Sequence, residues 1–499
     1  MASHANAGVP SLISVSRHGD YVVRANGKEL VVHTAAEFDG SRVLHCTKLK
    51  EPLASQLKFL KISYSDTSDD NDNGGDEGLL DLVPRQRLLC ASDNRVSVLQ
   101  INSMEWDAEI ENIDPAITYV DFGARNDEVI VFHSWNSKVT IFNLDSGRSQ
   151  VIKSPKFCNP NGYGYRPRTR QFAILLKPET SDLLTLHEIQ TYELITRVAL
   201  PTVDAQGLKW SPDGRWIAVW EAASAGTKVL IYTADGQLFR AYTGVPECDG
   251  TYDLGVRTIE WGPVNRTSQI LAVGKFDGTV DLLNSRTFSC STSLSHTFHI
   301  DSYSPTIWRE RYSGIDGSLE YAEASSSSAF TTTSESSGPP RGVSMIQFSY
   351  NGNFLATLDQ SLPNVVWIWS LISPIHLKSV LVHEHNVRQF AWHPSEPELL
   401  VTTNNSAAAA VRLWSLNRNP VIATVPIARN DAGRYEISWF GSVRGEPSTF
   451  WFSTPDDAVL GYVALQDERP RFNLLHSVSR AGDLMQSQLR NPFSRTMSE

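Results

Sequence analysis

Apolar residues along this chain come in short runs that alternate with polar ones, and the runs recur as a unit. The unit opens with an apolar strand ending in an aromatic residue and passes a polar turn into a second apolar strand. After another short polar turn it enters a third strand with period-two alternation. Four copies are sharp: Leu208 to Trp220 (LKWSPDGRWIAVW) followed by KVLIYTADGQ, Ile259 to Asn284, Ile346 to Leu371, and Phe390 to Leu416. Weaker copies are ISVSRHGDYVVRANGKELVVHTA, LKISY joined across an insertion to LLCASDNRVSVLQI, VDFGARNDEVIVFHSWNSKVTIFNL, RQFAILLKPETSDLLTLHEI, and ISWFGSVRGEPSTFWFSTPDDAVLGYVAL. About nine units at a spacing of roughly 40 to 50 residues leave room for four strands each.

The pattern predicts an all-β fold, a β-propeller of about eight or nine four-stranded units. A blade apolar on both faces cannot bury itself and must be stacked between neighbours. The aromatic closing the first strand (Phe122, Trp210, Trp261, Phe348, Trp392, Trp439) is expected to wedge between blades. The third-strand aromatics Phe142, Tyr232, Trp369 and Trp414 are expected to supply the next contact. Turn chemistry agrees: in Ser211 to Gly214 (SPDG) and Phe276 to Gly278 (FDG), glycine permits a positive φ, and Asp213 and Asp277 can bond back to turn amides. Nine units exceed the usual four to eight blades. One large ring, a ring plus extra blades, and two rings all remain open at this stage.

Asp277 stands where a WD repeat places its turn aspartate, but no Gly-His opens a unit, and Trp369-Ser370 and Trp414-Ser415 replace Trp-Asp. The units therefore resemble degenerate WD repeats. From Leu208 to Asn284 the stretches WSPDGRWIAVW, VLIYTADGQLFRAYTG, LGVRTIEWGP and LAVGKFDGTVDLLN resemble consecutive blades of the WD-repeat protein eight family, and downstream GNFLATLDQSLPNVVWIWSL does as well. That family is centrosomal and found at spindle poles, and the inserts suggest a fungal member. The resemblance implies a non-catalytic scaffold at the spindle pole body or centrosome. Its implied partners are a coiled-coil spindle-pole anchoring protein and a minus-end motor of the kinesin-fourteen class, with no cofactor. The matched positions are blade-core residues, so no binding residue follows from it.

Composition narrows the alternatives. The chain has 499 residues with 44 Lys+Arg against 55 Asp+Glu, a net charge of −11, which disfavours a general binder of nucleic acid or anionic membrane. No apolar run is long enough to span a membrane and no signal peptide is visible, so a soluble intracellular protein without membrane insertion is expected; the resemblance implies a cytoplasmic, cytoskeletal location. Cys46, Cys90, Cys158, Cys248 and Cys290 form no Cys-x-x-Cys pair and suit a reducing compartment. The acidic insert at 65–78 begins like a calcium loop at Asp69, Asn71, Asn73 and Gly74. Its twelfth position is Leu80, where a bidentate glutamate is needed.

Blades are expected over 12–290 and 343–470. Residues 1–11 read as a flexible N-terminus and 471–499 as a polar tail. A Ser/Thr-rich insertion at 291–342 contains PTIWRERYSGIDGSLEYAEA, which has the apolar content to add a strand or two to a blade. Ser154-Pro155, Ser304-Pro305 and Ser373-Pro374 are minimal proline-directed phosphorylation sites, whereas Ser211-Pro212 reads as a turn. Arg166, Arg168 and Arg170, beside Tyr163 and Tyr165, form a basic cluster that could dock an acidic partner. No hydrolase, P-loop or dinucleotide motif is present, and no catalytic or metal-ligating constellation can be assembled from the spacing. A substrate receptor of a ubiquitin ligase or a trafficking scaffold is the alternative adaptor class, and a propeller hydrolase comes third.

Overall fold

Alternate residues of a strand point to opposite neighbours, and here both neighbours are apolar. In Val365–Ser370, all of it buried, Val365, Trp367 and Trp369 enter the cluster shared with the preceding sheet. Val366 and Ile368 enter the one shared with the next. A computed structural model describes most of residues 13–479. The undescribed stretches within that span are 17–20, 27–28, 35–43, 46–55, 64–85, 246–252, 265–268, 297–304, 315–316, 325–341, 428–433, 441–446, 455–456 and 467–468. The acidic insert, the Ser/Thr run at 325–340, Ser304 and both terminal segments (1–11 and 480–499) lie outside the described residues.

The strands form nine sheets in sequence order, each built on four consecutive antiparallel strands. We number these blades 1 (residues 13–45), 2 (59–110), 3 (117–153), 4 (163–199), 5 (205–242), 6 (256–295), 7 (343–382 with an added hairpin), 8 (387–424) and 9 (436–479). One apolar cluster lies between each successive pair. A ninth, of Val22, Trp451, Ala458 and Leu460, joins blade 9 to blade 1. The nine units therefore close into one ring, which settles the choice left open by the repeat count. Among the described residues no two successive blades share a sheet, so this seam, like the others, is described by its side-chain packing. The last strand, Arg469–Ser479, carries the sheet beyond residue 470, where the sequence pattern ends, because its backbone stays paired with Asp457–Gln466.

The insertion before blade 7 supplies two further strands, Thr306–Tyr312 and Leu319–Glu323, as the sequence suggested. The first pairs in parallel with the rim strand His376–Val382, making a six-stranded sheet. This hairpin reaches blade 8, where Leu319 packs on Ala410 and Ile422. There Glu310 and Arg412, both buried, form a two-pronged ion pair. Behind it, Tyr321 Oη donates to Nε2 of buried His383, whose Nδ1 donates to the Asn364 carbonyl.

Burial lowers the His383 pKa to about 4, with Glu310 opposing and Arg412 reinforcing the shift. The folded protein therefore refuses a proton that the unfolded chain accepts. This contribution to stability is intact above the ordinary histidine range and is lost as pH falls toward 4, at ~1.4 kcal/mol per pH unit. Buried His133, His187 and His393 shift in the same direction. Urea unfolding at several pH values between neutrality and pH ~5 should show this loss, and His383→Gln should reduce the slope by about one proton. An unchanged slope would mean that His383 is not neutral in the fold.

Candidate partner-docking site

Four of the aromatics that end first strands make one repeated contact. The indoles of Trp210, Trp261, Trp392 and Trp439 donate to the carbonyls of Gly164, Lys209, Gln347 and Ala391, each on the first strand of the preceding blade, at 3.0 to 3.2 Å. Trp439→Phe keeps most of the ring volume and removes this bond, so a loss of about 1 kcal/mol is expected in urea unfolding. Trp369 donates to Thr357 Oγ1 and Trp414 lies in the cluster between blades 7 and 8. Asp213 accepts from Ser211 Oγ and the Arg215 amide, and Asp277 from the amide and hydroxyl of Thr279. Gly214 and Gly278 hold φ of 70° and 88°. These positions build the ring. Ser211 is fully buried, so its Ser-Pro pair is a turn and not an accessible hydroxyl.

The arginine cluster is largely committed to neighbouring blades. Arg166 Nε donates to the Gly214 carbonyl of blade 5 at 2.7 Å, with its guanidinium over the Trp210 ring. Arg170 donates to the Ala124 carbonyl of blade 3. Arg168 is the exposed member of the three.

A different residue stands out. Trp135, on the turn between the second and third strands of blade 3, is 90% exposed, the highest value among the large apolar residues described. Its backbone lies in the left-handed region (φ 58°, ψ 24°), as does that of Asn136 (φ 52°). That conformation costs a residue with a side chain about 1–2 kcal/mol, and a bulky side chain rarely adopts it. The turn is braced on both sides. The Ser134 amide and hydroxyl both bond to the Ala116 carbonyl on the linker from blade 2. Asn136 donates to the Lys156 carbonyl on the linker to blade 4 and accepts from Cys158 Sγ. Below it, buried His133 bonds to the Pro115 carbonyl and Thr140.

Three residues on, Lys138 sits directly across from Lys153 on the rim strand Ser149–Lys153. Neither lysine makes an ion pair among the described residues. Val151, two residues before Lys153 and so on the same face, is 44% exposed. The sequence reading passed over this turn, although HSWNS carries a signal: a tryptophan amid Ser and Asn, at a turn rather than at the aromatic-ending position of a strand.

The channel side of blades 8, 9 and 1 holds a cavity of about 650 Å³ lined by residues including Ser14, Gln389, Glu436 and Ser438. Its polar groups serve the ring: Gln389 exchanges two hydrogen bonds with the Ile437 backbone, and Arg388 donates to the Tyr435 carbonyl. Among the described residues no group of three or more His, Cys, Asp or Glu is placed to hold a metal ion, and no helix is long and apolar enough to cross a membrane.

No family model matches the chain. It is 29% identical over 354 residues to the mouse (Mus musculus) WD repeat-containing protein WRAP73, covering 66% of this chain and 73% of that protein. It is 27% identical over 357 residues to an uncharacterized WD repeat-containing protein of fission yeast (Schizosaccharomyces pombe), covering 68% and 70%. Among solved structures, the crystal structure of a eukaryotic initiation factor superposes with a TM-score of 0.53 at 10% identity, covering 85% of this chain and 89% of that one. That match concerns the fold alone. Nine stacked four-stranded units of this pattern, with relatives of this kind over two thirds of its length, make the chain a WD-repeat protein.

Proposed function

We propose that this WD-repeat protein is a non-catalytic scaffold at the spindle pole body or centrosome. It would help to hold spindle microtubule minus ends through a coiled-coil anchoring partner and a minus-end motor of the kinesin-fourteen class. The scaffold part rests on the Trp135 turn, where a large aromatic is braced in a costly backbone conformation and left in water. Tryptophan is enriched among the residues that dominate protein interfaces, and strain held by its surroundings points to function. The spindle part is supported by the resemblance of Leu208 to Asn284 and GNFLATLDQSLPNVVWIWSL to a centrosomal family.

The test is a tag on the full-length protein, with imaging through division and affinity purification from mitotic cells. Signal at the poles together with recovery of a coiled-coil pole protein and a minus-end kinesin is the expected result. Diffuse signal with cullin-linked or coat subunits would replace this reading with the other adaptor class.

A further inference from the structure

We infer that the Trp135 turn, with Lys138, Lys153 and Val151, is the docking site for an acidic protein segment that carries a large apolar side chain. This rests on the scaffold reading and adds the chemistry of the partner.

Three features converge on it. Trp135 offers a flat apolar surface whose position is set by bonds from Ser134 and Asn136 to the two flanking linkers. An apolar side chain landing there would meet a turn whose backbone loses little freedom on binding. Lys138 and Lys153 are a directly opposed cross-strand pair. Like charges in that register repel, and no carboxylate of the described residues neutralises them. A carboxylate placed between them would relieve the repulsion. Val151, on the same face of the rim strand as Lys153, is exposed as well.

Complementarity thus asks for carboxylates flanking an apolar anchor. A single-stranded nucleic acid needs a longer cationic track, and the chain's net charge of −11 works against one.

The experiment measures binding of fluorescein-labelled synthetic peptides to the full-length protein by anisotropy. The probes are a short peptide of glutamates around leucine and phenylalanine, its lysine-for-glutamate counterpart, its serine-for-apolar counterpart, and an oligo-dT strand. The acidic apolar peptide should bind, more weakly as salt rises, and the other three should bind at least about tenfold more weakly.

Trp135→Gly and the double variant Lys138→Glu, Lys153→Glu should each reduce binding at least about tenfold, whereas Leu238→Ala, on the exposed rim of blade 5, should not. Glycine is at ease at φ 58°, so Trp135→Gly should melt no lower than the parent and its binding loss cannot come from unfolding. Absence of binding, equal binding of the basic peptide, tighter binding of oligo-dT, or insensitivity to Trp135→Gly would each overturn the inference. Tagged protein at spindle poles alongside any of those results would sink this inference and leave the scaffold reading standing. Diffuse tagged protein would sink the spindle reading whatever the peptides do.

Discussion

Arg412→Ala should destabilise the protein by about 3–5 kcal/mol, as expected when one partner of a fully buried ion pair is removed. The two side chains are 1% and 0% exposed. The guanidinium grips Glu310 with Nη2 at 2.7 Å and Nε at 3.2 Å, and its Nη1 donates to the Ala410 carbonyl. Burial pushes the Glu310 carboxyl up, but Arg412 more than offsets this and holds it below the usual range. Without the arginine, the carboxylate must take up a proton or leave the interface.

Beyond its edge pairing and packing on blade 7, the hairpin reaches blade 8 through this ion pair and the contact of Leu319 and Tyr321 with Ala410 and Ile422, so the loss should appear first as its release from blade 8. Hydrogen exchange should rise across residues 306–323 before the rest of the ring, and urea unfolding should give the total. Glu310→Gln, which strands the arginine, should cost a similar amount. The joint replacement Glu310→Leu, Arg412→Met should cost much less than the sum, because an apolar pair of similar volume needs no desolvation. A single-variant loss under about 1 kcal/mol, or additive singles, would show that the pair does not hold the hairpin.

Trp451→Ala should cost about 3–5 kcal/mol, the usual range for a buried tryptophan, and it should open the ring at one place. Trp451 is 1% exposed and packs with Val22, Ala458 and Leu460 between blades 9 and 1. Ile13, Val15 and Phe440, partly buried, pack against these four. A cavity of about 650 Å³ lies beside this seam. The variant should therefore lose hydrogen-exchange protection in blades 1 and 9 well before blades 4 to 6. Trp367→Ala, in the thick cluster between blades 6 and 7, should cost a similar amount and loosen that interface instead. Uniform deprotection in Trp451→Ala would mean that the ring does not open first at this seam.

Much of this architecture was legible along the chain because it is local. A strand flanked by apolar sheets on both sides must be apolar on both faces, so Ile217 to Trp220 and Val365 to Trp369 announce themselves. Turn residues with special backbone needs, such as Gly214 and Gly278, mark the corners. The first-strand tryptophans recur at one place in the unit because each finds the same carbonyl on the blade before it. The extra hairpin could be suspected from IWRERY and LEYAE, which carry more apolar and aromatic residues than a linker needs.

The tertiary structure alone decided the rest, since it depends on partners distant in sequence. A repeat count does not say whether nine units close, and closure was settled by Val22 meeting Trp451 and Leu460 across almost the whole chain. Arg166 and Arg170 read as free cations until the turns of blades 5 and 3 brought carbonyls to them. Glu310 and Arg412, 102 residues apart, carry no shared motif. Trp135 carries in sequence only the hint of its Ser and Asn neighbours, and its exposure follows from a turn held by two linkers. Periodicity records which face of a strand is buried, and so it determined the units and their stacking. It carries no record of what each face meets, and that decided the seam, the strap and the docking turn.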